Sequence, residues 1–141
     1  MGKFLVPGRA KGAGALCAVL LLSGCMAVEV AAGVYPTGDE ADPTALVRSW
    51  SGDGSLLELQ QGGTFTAQDL AAGFMNCPEG ENGSVKLSGS GTWLDIPSAS
   101  NASTVHLEFT SGCTTSLTFG KFKGKPVLWN EHVEGILVIL E

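Results

Sequence analysis

Apolar residues recur at every second position along much of the chain, in runs too short for helices. Thr104–Phe109 is the clearest case. Val105, Leu107 and Phe109 fall on one side, and Thr104, His106 and Glu108 on the other. That is the period of a strand with one buried face. Leu57 and Leu59 before the Gln61-Gly62-Gly63 turn, and Phe65 and Ala67 after it, carry the same alternation. Further short runs cover Leu46–Trp50, Val85–Leu87, Gly91–Ile96, Thr114–Phe122, Val127–Trp129 and Ile136–Leu140, set between turns rich in Gly, Asn, Ser and Lys. Only Ala67–Phe74 has room for a helical turn, which Gly73 would stop. The pattern predicts an all-β fold: an antiparallel meander of about eight short strands, closed as a small barrel or folded as a sandwich. Parity predicts an inward set of Leu57, Leu59, Phe65, Trp93, Val105, Leu107 and Phe109. The closing run from Ile136 to Leu140 is hazardous at a free edge, so it is expected to be buried or paired.

The first residues follow a different rule. Lys3, Arg9 and Lys11 precede ten apolar residues, Ala13–Leu22, with no acid among them. Ten residues are too few to cross about 30 Å of hydrocarbon as a helix, and a basic start with a short apolar run reads as a secretory signal. Leu22-Ser23-Gly24-Cys25 follows. This resembles the bacterial lipoprotein signal, in which cleavage falls before a Cys whose sulfur carries a diacylglycerol. The resemblance implies lipidation at Cys25 and an anchor on the outer face of the cytoplasmic membrane, made stable by two acyl chains. An ordinary signal cut further on, or an uncleaved anchor, is the alternative. The expected organisation is a signal peptide over 1–24, a flexible tether over 25–44, where Gly, Pro and acidic residues cluster, and a β domain over 45–141.

Cysteine usage fits an exported chain. With Cys17 lost in the signal and Cys25 lipidated, Cys77 and Cys113 remain, and one disulfide between them is expected. The rival is a metal site of Cys77, Cys113, His106 and His132, which has no CxxC or HxxxH spacing to support it. Neither a metal nor a cofactor is expected. The whole chain carries −6; removal of the signal's three basic residues leaves −9 over 117 residues. A chain so acidic has no basic stripe for nucleic acid.

The segment from Trp50 to about Phe109 resembles small secreted lipoproteins of actinobacteria with no assigned activity. The carrying residues are Trp50, Leu57-Glu58-Leu59, Gly63–Ala67, Asp69-Leu70, Ser88–Trp93 and Val105–Phe109. The resemblance implies a β fold at the cell surface and no catalytic residues. Gly91-x-Trp93 is also similar to the lipocalin Gly-x-Trp, although it sits mid-chain and no Arg follows Arg48. Catalytic chemistry is not expected: there is no Gly-x-Ser-x-Gly, no phosphate loop and no paired acids in a motif. His106 reads as a solvated strand residue, His132 as part of a turn with Asn130 and Glu131, and Asp53 and Asp69 as turn and cap residues. Lys121, Lys123 and Lys125 read as a solvated hairpin tip, with anionic lipid as a possible contact. Trp50, Trp93 and Trp129 are the candidate ligand-stacking residues, with core packing as the competing role. The functional expectation is a non-enzymatic surface binding or interaction module, or alternatively a small lipocalin-like barrel carrying an apolar ligand.

Overall fold

The computed structural model describes residues 35–78, 82–132 and 135–141. The signal peptide, Cys25 and the tether up to residue 34 lie outside them. The described residues form nine strands: β1 (Thr37–Gly38), β2 (Ser49–Gly52), β3 (Ser55–Leu59), β4 (Thr64–Phe74), β5 (Gly83–Pro97), β6 (Ser103–Phe109), β7 (Thr114–Phe122), β8 (Lys125–His132) and β9 (Gly135–Leu140). One short helix, α1 (Pro43–Leu46), precedes β2. Strands β2 to β9 lie in sequence order, each antiparallel to the next, and the sheet curls into a half-barrel. Its end strands meet where Ser51 and Glu141 exchange two backbone hydrogen bonds, of 3.1 and 2.9 Å. Gly52 permits that approach, because a Cβ there would run into the Ile139 carbonyl oxygen.

All seven residues of the expected inward set are buried. Leu94, 64% exposed, and Ile96 project from the other face of β5, so Trp93 takes the inward parity. Phe65 and Phe74 both pack edge-on against Phe109, with centroids 4.9 and 5.6 Å apart, a preferred aromatic geometry. His106 is half-buried and Glu108 exposed.

The helical turn expected over Ala67–Phe74 is instead the second half of β4. The pairing steps from Ala67↔Gly89 to Leu70↔Leu87, so Gln68 and Asp69 together oppose Ser88. This β-bulge reverses the strand's parity: Phe65 and Ala67 point inward before it, and Leu70, Ala72 and Phe74 after it. Asp69, expected at a turn or cap, is the bulge residue with φ of +47°. Ser55, buried on β3, donates to the Asp69 carbonyl (2.8 Å) and accepts from the Ala71 amide (3.1 Å).

Beyond Gly89 the β4–β5 hairpin leaves β6 and reaches β7 and β8. Met75 and Thr114 exchange backbone hydrogen bonds of 2.9 and 2.8 Å. Buried Asn130 accepts from the Gly73 amide and donates to the Ser116 carbonyl, both at 2.8 Å. Asn130 and Glu131 thus lie in β8 rather than in the expected turn; the side chain of His132 is outside the description. Cys77 and Cys113 close the same junction as a disulfide, with Cα atoms 4.2 Å apart.

The folded unit begins at Pro36, not at Ala45. Thr37 and Gly38 pair with Lys121 and Gly120, on the stretch of β7 that β6 does not reach. The Asp39 amide then donates to the Phe119 carbonyl (3.0 Å), and the Ala41 amide to Ser103 Oγ (2.9 Å). The polar composition of this segment looked like a tether because hydrogen bonds of its backbone hold it, with Ala41 its one buried apolar side chain before the helix. The β7–β8 turn is Lys123-Gly124; of the lysines expected at this hairpin tip, Lys121 lies in β7 and Lys125 is the first residue of β8. Lys121 pairs with Asp39 (3.4 Å) and Lys125 with Glu141 (3.2 Å). Among the described residues, no helix is long and apolar enough to cross a membrane.

Candidate functional site

The segment after β1 crosses one end of the half-barrel and forms α1. Asp42 caps the helix, accepting from the Thr44 amide (3.0 Å) and hydroxyl (2.9 Å), and Pro43 follows in the first turn. Those two donors, the backbone one first, hold the exposed Asp42 carboxyl below its ordinary value of 3.8. Leu46, fully buried, points from α1 into the core. The Trp50 indole N–H donates to the Leu46 carbonyl (3.0 Å), and the Arg48 guanidinium lies 4.3 Å from the Trp50 ring centroid. The helix is thus fastened to the first residues of β2.

Beside it lies an open groove of about 570 Å³. Pro43, Thr44 and Val47 line it from the helix, Gln61-Gly62-Gly63 from the β3–β4 turn, and Trp93-Leu94-Asp95 from β5. Trp93 is fixed twice to that turn: its backbone N–H donates to the Gly63 carbonyl (2.8 Å), and its indole N–H to the Gln60 carbonyl (3.0 Å). Asp95 shares the inward parity of Trp93 and is half-buried. Its Oδ1 atom is buried with no hydrogen-bond donor among the described residues. Nearly all buried polar groups are partnered; this oxygen is an exception, and protein atoms rather than the groove cover it.

The three candidate tryptophans do not converge. Trp50 is fully buried in the core, edge-on to Phe119 at 6.2 Å. Trp129 is buried on the other face of the sheet, over Gly120 and Gly38. Trp93, 8% exposed, alone borders the groove. The barrel interior is filled by Trp50, Phe65, Phe74 and the leucines around them.

Sequence reasoning passed over Asp95, Leu94, Val47 and the Gln61–Gly63 turn as site residues. For Asp95 a signal was present: two residues past an inward Trp93, it falls on the buried face. The others come together only through the long-range meeting of α1, the β3–β4 turn and β5.

A second depression, of about 750 Å³, lies where β4 meets β7 and β8. Part of its polar lining is engaged: Thr115 Oγ1 donates to the Gly73 carbonyl (2.8 Å), and His106 Nδ1 lies 3.1 Å from Ser116 Oγ. His106 and Ser116 are direct cross-strand neighbours, an ordinary polar pair of a sheet. Among the described residues, no three of His, Cys, Asp and Glu cluster as a metal site would require. Compared with known protein families, curated proteins and solved structures, the chain matches none.

Proposed function

We propose that this chain is a lipid-anchored, extracytoplasmic β domain that works as a surface binding module, with the groove beside α1 as its binding surface. The observation that carries the reading is the groove itself: Pro43, Val47, Trp93 and Leu94 give it an apolar lining, and the half-buried Asp95 adds a carboxyl to it. Binding sites combine these features, an apolar lining and a few directed polar groups. The anchor rests on the Leu22-Ser23-Gly24-Cys25 signal and would place the domain outside the cytoplasmic membrane. The packed interior favours the groove over the alternative of an apolar ligand carried inside the barrel.

The test is site-specific photo-crosslinking on intact cells. A photo-reactive residue in place of Leu94, exposed at the groove, should yield an adduct detectable by mass. The same residue in place of Leu56, exposed on β3 and not among the groove residues, should yield none. Equal labelling at both positions would remove the groove's claim.

A further inference from the structure

We infer that Asn82 is a site of spontaneous covalent modification: the backbone nitrogen of Gly83 attacks its side-chain amide, and an aspartyl or isoaspartyl residue is left in its place. The inference goes beyond the groove and does not depend on it. Of the four asparagines, Asn76, Asn82, Asn101 and Asn130, only Asn82 is followed by a glycine. Glycine has no Cβ to crowd the attacking nitrogen. Gly83 also has a φ of +105°, a conformation that favours glycine, and a Cβ built on it would meet nothing within 4 Å. A ring that closes on its nitrogen therefore has room.

The surroundings of Asn82 favour the attack. The residue is exposed and stands just before β5, whose first residue is Gly83. Water thus reaches both the proton that must be lost and the ammonia that must leave. The Cys77 amide donates to Asn82 Oδ1 (3.1 Å). Negative charge develops on that oxygen as the nitrogen adds to Cγ, and a fixed N–H aimed at it stabilises the charge. The bridge from Cys77 to Cys113 holds this donor in position.

The step balances with water as the only co-reactant. The Gly83 nitrogen loses its proton and bonds to Asn82 Cγ. The Cγ–Nδ2 bond breaks, and Nδ2 leaves as ammonia with the proton. The five-membered imide then takes up one water. Opening at the side-chain carbonyl gives an aspartyl residue; opening at the main-chain carbonyl gives an isoaspartyl residue, with the backbone running through the former side chain. Either product adds a carboxylate to the lining of the second depression, to which Asn82 belongs. The isoaspartyl form also lengthens the main chain by a methylene between Cys77 and the Phe74↔Gly83 pair of β4 and β5.

The test uses the secreted full chain carrying Cys25→Ser, oxidised and folded, aged in mildly alkaline buffer. Its peptides are then separated and their masses read. Asn82 should convert to a mixture of aspartyl and isoaspartyl forms at least tenfold faster than Asn101, which is also exposed but is followed by Ala102. The same chain aged unfolded in urea isolates what the fold contributes, and the folded chain should convert at least as fast. A slower folded rate would show that the Cys77 contact protects the amide, and would overturn the inference. So would conversion at Asn101 as fast as at Asn82, which would remove the part given to Gly83. An aspartyl product without any isoaspartyl would mean direct hydrolysis and would overturn the imide route.

Discussion

Single side chains do disproportionate work where strands leave their neighbours. Asn130 supplies partners for the Gly73 amide and the Ser116 carbonyl at the junction of β4, β7 and β8. Asn130→Ala leaves both without that partner at a part-buried junction, where water can take up part of the loss. At the lower end of about 1–3 kcal/mol for each orphaned group, the variant should lose about 1–2 kcal/mol in denaturant unfolding. A loss within about 0.5 kcal/mol, the size of an ordinary surface change, would show that the junction does not depend on it. The disulfide beside it closes a loop of 36 residues, and Cys113→Ser should cost about 2–5 kcal/mol. Asp42 acts differently, through its charge. Its folded pKa is lowered, first by the Thr44 amide and then by the Thr44 hydroxyl. The unfolded chain therefore binds that proton more readily, and the stabilisation is present above the ordinary carboxylate value and lost as pH falls through the lowered one. Asp42→Ala should unfold at lower denaturant concentration at pH 7, and the gap from the parent chain should narrow as pH falls from the ordinary value of 3.8 through the lowered one. A gap that stays constant with pH would mean that the cap's charge plays no part.

Elements were legible in the sequence where one rule governed them. The strands around Leu57, Phe65 and Leu107 bury one face and expose the other, so a period of two marked both the strand and its side. Across the bulge of β4 two rules collide. Ala67, Leu70, Ala71 and Phe74 stand at helical spacing, yet they belong to a strand whose parity reverses at Gln68 and Asp69. One inserted residue imitates a helix. β1 was invisible for another reason: it is two residues long, and its hold on β7 is made by backbone atoms. Of the groove, Trp93 was named as a candidate ligand residue and Asp95, two residues beyond it, was open to the parity rule; the rest could not be read, because they come from three separated segments. The β1 contact has its own test. A Cβ on Gly120 would collide with the Thr37 carbonyl and would stand 2.7 Å from the Trp129 ring. Gly120→Ala should therefore detach the segment from β7, and the amides of Asp39 and Ala41 should exchange with solvent at least tenfold faster while those of β5 and β6 keep their protection. Unchanged exchange at Asp39 would mean that the segment does not need that close approach.

At the scale of the whole molecule, the early start of the fold changes how the domain would be carried. With the folded unit beginning at Pro36, eleven residues separate the start of a chain cut before Cys25 from the sheet, rather than the twenty expected from composition. At about 3.3–3.6 Å per extended residue, those eleven reach at most ~40 Å. The unit's first residues run along β7, cross to Ser103 and become α1, so the segment that would lead from the anchor also lines the groove at Pro43 and Thr44. Were Cys25 lipidated, those eleven residues would be the whole length of chain between the anchor and the folded unit. The anchor is the premise, and it has a direct test. Cys25→Ser should abolish incorporation of a fatty-acid analogue and move the protein from the membrane to the soluble fraction, with no change in its unfolding midpoint, since the substitution lies outside the folded unit. Equal label on the parent and variant chains would assign the lipid to another residue or to none. A variant that stays in the membrane fraction without label would point to an uncleaved N-terminal segment as the anchor, and the length of chain between membrane and groove would have to be reckoned from there.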